Sequence, residues 1–183
     1  MNTNSLTETF SVWLKPQHSD YVDMARLIAG LSEKYGTAKF EPHLTLYSGA
    51  GNDRYSLKRA VAEQLAGLEP ITLKIDCVRA SEEFFKTLFI EFEDSSLLND
   101  LNRKIKAALK RDSGYTLRPH LSLMYMDLEI DLKWEIARTI NIRKSEIVFD
   151  EIMLVSPGNN AQGWRDIENW EVWFTHPLNR EVP

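Results

Sequence analysis

Cysteine is nearly absent: Cys77 is the only one in 183 residues. That excludes an internal disulfide and any zinc site built from several thiolates. Its setting in ITLKIDCV predicts a buried structural thiol. Basic runs are equally scarce; no stretch of Lys and Arg exceeds two residues, and the formal net charge is −5. A protein that grips a long polyanion through its phosphates needs a basic balance or patch. Long RNA or DNA is therefore disfavoured as the main ligand, whereas a small phosphorylated molecule needs only a few local donors. No apolar run approaches the roughly 18 residues that span a bilayer. The start, MNTNSLTETF, lacks the basic residues and apolar stretch of a secretory signal. A cytoplasmic enzyme or binding protein, with no membrane and no obligate protein partner, is the expectation. No linker or low-complexity segment divides the chain, so residues 1–183 are expected to form one domain.

What is present is a regular alternation of strand and helix patterns. Thr9–Lys15 sets Phe10, Val12 and Leu14 against Ser11, Trp13 and Lys15, the period of a strand with one buried face. Ser19 or Asp20 can cap a helix with the stripe Tyr21, Met24, Ile28, Leu31 and Tyr35, stopped by Gly36. A strand at His43–Ser48 precedes a helix capped by Ser56 and carrying Leu57, Val61, Leu65 and Leu68. Strands are predicted at Ile71–Ala80 and Phe84–Glu93, joined by the turn Ser81–Glu83. Asp94 or Ser95 opens the strongest helix, with Leu97, Leu98, Leu101, Ile105, Ala108 and Leu109 facing the core. A strand at His120–Met126, a short helix from Asp131 with Leu132, Ile136 and Ile140, and strands at Glu146–Val155 and Ile167–Phe174 complete the chain. Trp164, Trp170 and Trp173 are expected to pack the final hairpin. Each half places a helix before a histidine strand, so the pattern predicts an α+β unit with two lobes and the histidine strands near its centre.

Those strands carry a repeat. FEPHLTLY (Phe40–Tyr47) and LRPHLSLMY (Leu117–Tyr125) both spell Pro-His-Leu-(Thr/Ser)-Leu, with the histidines 77 positions apart. Residues two apart share a strand face. His43 and Thr45 therefore point one way and Leu44 and Leu46 the other; His120 and Ser122 are likewise set against Leu121 and Leu123. Pro42 and Pro119 remove a backbone donor and favour an extended strand entry. Core packing accounts for the leucines but does not ask for an imidazole and a hydroxyl together on the opposite face. If the two faces meet, the cleft holds two imidazoles and two hydroxyls. In-line cleavage of a phosphoester needs a base on the attacking oxygen and an acid on the leaving oxygen, on opposite sides of phosphorus. Histidine serves either role near neutral pH, and hydroxyls can stabilise the non-bridging oxygens. The scheme requires no metal and no cofactor.

These motifs resemble the signature of the two-histidine phosphoesterase superfamily. SVWLKP, KFEPHLTL, EEFFKTLFIEF and RPHLSLMY are similar, in order and spacing, to its plant and yeast cyclic phosphodiesterase branch, across roughly Ser11 to Phe174. The resemblance implies a bilobal α+β fold with pseudo-twofold-related lobes, antiparallel sheets lining a central cleft and helices outside. It implies hydrolysis of a cyclic phosphate on a ribose: a nucleoside 2′,3′-cyclic phosphate or ADP-ribose 1″,2″-cyclic phosphate. His43 and His120 map onto the catalytic histidines, and Thr45 and Ser122 onto the phosphate-binding hydroxyls. His120 is expected to be the base toward water and His43 the acid. The alternatives are an RNA 2′,3′-cyclic phosphodiesterase or end-joining ligase, which would hold an RNA end, and a non-catalytic nucleotide-binding module.

Three further residues are candidates for substrate contact. Trp13 lies on the polar face of its strand and could stack a base. Phe85 is preferred over Phe84 as a cleft residue, by analogy with the family. Tyr125 falls on the wrong face by parity unless the strand bulges or ends. Lys86 and Arg118 are read as solvated surface cations, and His18 and His176 are given no role. No His-Glu-x-x-His or similar spacing supplies a third metal ligand.

Overall fold

The computed structural model describes residues 8–51, 53–110, 113–157 and 170–178. Among these residues, seven strands and four helices follow the order β1 (Glu8–Pro16), α1 (His18–Tyr35), β2 (Leu44–Gly51), α2 (Arg54–Ala62), β3 (Ile71–Ala80), β4 (Leu88–Phe92), α3 (Ser96–Leu109), β5 (His120–Met124), α4 (Ile130–Thr139), β6 (Glu146–Ser156) and β7 (Glu171–Pro177). Trp164 and residues 167–169 of the expected last strand lie outside the described residues; Trp173 is in β7 and Trp170 just precedes it.

All strand pairings are antiparallel. The sheet order is β1-β2-β5-β4-β3-β6-β7, and β6 also pairs with β1. Six strands therefore close a circuit. β6 makes this possible by sharing its length: Glu146–Phe149 pairs with β3, while Phe149 and Glu151–Val155 pair with β1 and Glu151–Ser156 with β7. The two histidine strands meet in the circuit, β2 against β5, through the single register pair Leu44–Leu121.

The alternating pattern explains the core. Phe10, Val12 and Leu14 from β1, Leu44 and Leu46 from β2, and Leu121 and Leu123 from β5 are fully buried in one cluster with Ile28, Leu101 and Ile105 from the helices. Helix α1 packs on β5, α3 on β2 and α4 on β3. Ser95 caps α3 as expected, accepting from the Leu98 N–H. The other helix starts differ from expectation. α1 begins at His18, and buried Asp20 accepts from Gln17, Lys144 and the Val148 N–H, tying the helix to β6. In α2 Asp53 is the cap, accepting from the Ser56 N–H. Gly36 ends α1 in the left-handed region, at φ 68°, as its position predicted.

Three expectations are corrected. Phe84–Lys86 is a 3₁₀ turn rather than the start of β4, because Thr87 Oγ1 folds back within hydrogen-bond distance of the Phe84 and Met126 carbonyls, which share its one proton. Leu97 and Leu132, placed on core stripes, are 49% and 43% exposed at the margins of their helices. Cys77 is half-buried: the β3–β4 register shifts between Ile75 and Cys77, turning the thiol to the sheet margin beside Asp76.

Candidate active site

His43, Thr45, His120 and Ser122 line one cavity of about 440 Å³. Its size falls in the range of roughly 300–1,000 Å³ usual for small-molecule sites. The register explains the convergence. With Leu44 opposite Leu121, the flanking residues of β2 and β5 face each other on the side opposite the leucines.

Both imidazoles are oriented by the same device. His43 Nδ1 lies 2.6 Å from the Glu41 carbonyl, and His120 Nδ1 lies 2.6 Å from the Arg118 carbonyl. A carbonyl can only accept, so Nδ1 carries the proton in each ring and Nε2 is the nitrogen left for chemistry. In both motifs the carbonyl belongs to the residue before the proline, which is confined to an extended conformation. The repeated Pro thus sets the donor angle as well as the strand entry.

The two rings differ in surroundings. His43 is 9% exposed and stacks on Trp13, with ring centroids 3.6 Å apart and planes inclined by 13°. Burial pushes its pKa down to about 4, with His120 adding a smaller repulsion. His120 is only half-buried and meets Phe89 edge-on. Its pKa is also lowered, chiefly by burial. Trp13 is 4% exposed and covered on its second face by Trp170, 4.5 Å away. It therefore has no face free for a base; it is the wall behind His43.

A second shared feature is a β-bulge three residues after each histidine. The β1–β2 register skips Leu46, pairing Val12 with Tyr47 and Trp13 with Thr45. The β4–β5 register skips Leu123, pairing Leu88 with Met124 and Phe89 with Ser122. Each extra residue inverts the alternation beyond it. Leu46 and Tyr47 consequently both enter the core, as do Leu123 and Met124. The fifth residue after each histidine, Ser48 or Tyr125, returns to the cavity. The bulge is the condition under which Tyr125 was expected to join His120. Tyr47, although a tyrosine follows each motif in sequence, is not its counterpart.

Tyr125 stacks on Phe40 at 4.1 Å and meets Phe85 edge-on at 5.6 Å. Burial raises its phenol pKa to about 12, with a small opposing effect of a hydrogen bond to Ser122. Phe85 lines the cavity and is 54% exposed. The Ser122 hydroxyl donates to the Phe85 carbonyl at 3.0 Å, so the 3₁₀ turn and the histidine strand brace each other. Lys86 and Arg118 also line the cavity rather than standing away from it, and both face Glu83, at 3.5 and 3.9 Å. Tyr115 was not singled out by sequence; its hydroxyl donates to the Thr45 carbonyl at 2.8 Å across 70 residues. Its surroundings, a Ser-Gly-Tyr turn with no periodicity, give no signal of this. His176 pairs in β7 with Ile152, and His18 opens α1; neither lines the cavity. Among the described residues the one cluster with metal-ligand spacing is Asp76, Cys77 and Glu91; none of the three lines the cavity, although Glu91 pairs with His120 across β4–β5.

A family model described as cyclic phosphodiesterase-like protein matches residues 9–175. A curated relative from Arabidopsis thaliana named cyclic phosphodiesterase is 23% identical over 121 residues, covering 66% of this chain and 67% of that protein. Among solved structures, E. coli LigT complexed with 3′-AMP superposes with a TM-score of 0.59 at 15% identity, covering 95% of this chain and 99% of LigT. A structure described as a phosphoesterase gives a TM-score of 0.59 at 13% identity, covering 94% and 99%. At such identities these two likenesses establish a shared fold.

Proposed function

Since the chain belongs to the cyclic phosphodiesterase-like protein family, within the two-histidine phosphoesterases, we propose that this phosphodiesterase opens a cyclic phosphate on the ribose of a small nucleotide. Candidate substrates are nucleoside 2′,3′-cyclic phosphates and ADP-ribose 1″,2″-cyclic phosphate. The observation that carries this reading is the pair of equivalent imidazoles, each with Nδ1 tied to a backbone carbonyl, in one cavity with two hydroxyls. LigT has been solved with phosphate, 3′-AMP and ATP, which supports a small nucleotide as ligand.

In the proposed reaction His120 Nε2 takes a proton from water, whose oxygen attacks phosphorus in line. The bond from phosphorus to one ribose oxygen breaks, and that oxygen takes a proton from His43 Nε2, giving a phosphomonoester. Thr45 and Ser122 donate to the non-bridging oxygens. Ser122 must first release the Phe85 carbonyl, a rearrangement costing about 1 kcal/mol. The division of roles rests on access: half-buried His120 can receive water, whereas His43, sealed by Trp13, suits the leaving oxygen. Both lowered pKa values leave the free rings neutral near pH 7. The acid is therefore charged by proton uptake with the anionic substrate, whose phosphate favours the imidazolium. A bell-shaped rate profile has the same limbs whichever ring is the acid.

The test is turnover of both substrate types in the presence of EDTA. Hydrolysis should persist, and His43→Ala and His120→Ala should each abolish it. Variants as fast as the parent would remove the two-histidine site, and loss of activity in EDTA would remove the metal-independent mechanism.

A further inference from the structure

The bulge at Leu46 does something that hydrolysis of the phosphate does not use: it turns Ser48 into the cavity, directly across the β1–β2 pair from Ser11. Ser11 and Trp13 share a face of β1 by alternation, so Ser11 stands two residues, roughly 7 Å, along the strand from the ring that backs His43. That is about the extent of a ribose and the near ring of its base. Ser11 is 6% exposed, and its Oγ lies 3.0 Å from Ser48 Oγ. Ser48 Oγ in turn donates to the Phe10 carbonyl at 3.3 Å.

The protons can be counted. Each hydroxyl has one proton and two acceptor positions. The Ser48 proton goes to Phe10, so the bond between the serines uses the Ser11 proton. Both protons are then used inside the protein, which leaves acceptor positions on two residues that line the cavity. A buried polar pair with unused acceptors selects a ligand that brings a donor.

Resting on the cyclic-phosphate reading above, we propose that Ser11 and Ser48 form a base-specificity site, accepting a hydrogen bond from the exocyclic amino group of the substrate's nucleobase. A base with a carbonyl at that position sets acceptor against acceptor and is disfavoured. The chemical class selected is therefore an amino-bearing nucleoside cyclic phosphate.

Adenosine and purine riboside 2′,3′-cyclic phosphates differ at that one group alone, amine against hydrogen, and both keep N1 as an acceptor. The parent enzyme should show kcat/KM about tenfold or more in favour of the adenosine substrate. Ser11→Ala and Ser48→Ala should bring the ratio toward one, and the parent comparison stands without any variant. Equal turnover of the two substrates by the parent, or a preference undiminished in both variants, overturns the proposal while leaving the enzyme a cyclic phosphodiesterase. Turnover of neither substrate, nor of the cytidine and uridine analogues, overturns the cyclic-nucleotide reading and this proposal together.

Discussion

His43 makes folding stability depend on pH in a way that can be isolated. Its pKa is about 4 in the folded chain, against 6.5 for a free imidazole, because burial disfavours the charged ring. Below pH 6.5 the unfolded chain takes up a proton at this residue that the folded chain refuses. Stability therefore falls with pH from about 6.5 until the folded ring itself titrates near pH 4. A difference of about 2.5 units, at 1.36 kcal/mol per unit, corresponds to roughly 3 kcal/mol. His43→Asn removes the titration and keeps an N–H that can reach the Glu41 carbonyl. Urea unfolding of parent and variant, followed by circular dichroism between pH 7 and pH 4, measures the effect. The parent should lose roughly 3 kcal/mol more than the variant over that interval, whatever their offset at pH 7. Parallel stability curves would refute the burial argument, since both chains share every other titrating group.

Three more expectations follow from particular contacts. Lys133 is 2% exposed and donates through Nζ to the Ser81 carbonyl, at the base of the turn that carries Phe85. Lys133→Ala should cost about 2–4 kcal/mol in urea unfolding and lower kcat/KM by loosening that wall; an unchanged midpoint would show the amine to be idle. Gly49→Ala would put its Cβ 2.9 Å from ring atoms of the fully buried Tyr47, so thermal unfolding should report a loss of about 1–3 kcal/mol. Ser122→Ala should lower kcat by about 100-fold and, by removing the bond to the Phe85 carbonyl, cost about 1 kcal/mol of stability; an unaltered kcat would exclude this hydroxyl from the transition state.

The repeated motif was legible because alternation is a strong signal: the leucines named the buried face, and the imidazole and hydroxyl stood opposite without a packing reason. The α+β order follows from the same periods, whereas the family resemblance rests on the motif residues themselves. What alternation could not reveal was where it breaks. Leu46 and Leu123 look like any strand leucine, yet the skipped register at each decides that Ser48 and Tyr125 reach the cavity. Bulges arise from pairing with a neighbouring strand, which a single strand does not encode. The same holds at Phe84–Lys86, whose apolar run reads as strand until Met126, 39 residues on, supplies the carbonyl that helps hold Thr87 in a turn. Trp13 was placed on the right face, but its use as backing for His43 depends on Trp170, whose position no local pattern gives.

The single pair joining β2 to β5 has a consequence for how the enzyme comes into being. Leu44 and Leu121 are far apart in the chain, and every other route between the two histidine strands runs around the circuit through β1, β6, β3 and β4. Contacts of such long sequence separation are slow to form, because loop-closure entropy is spent before they repay it. Either half of the sheet can gain its hairpins and helices while the imidazoles remain apart. During refolding, recovery of secondary structure should therefore run ahead of recovery of activity. Turnover is the readout that marks this closure.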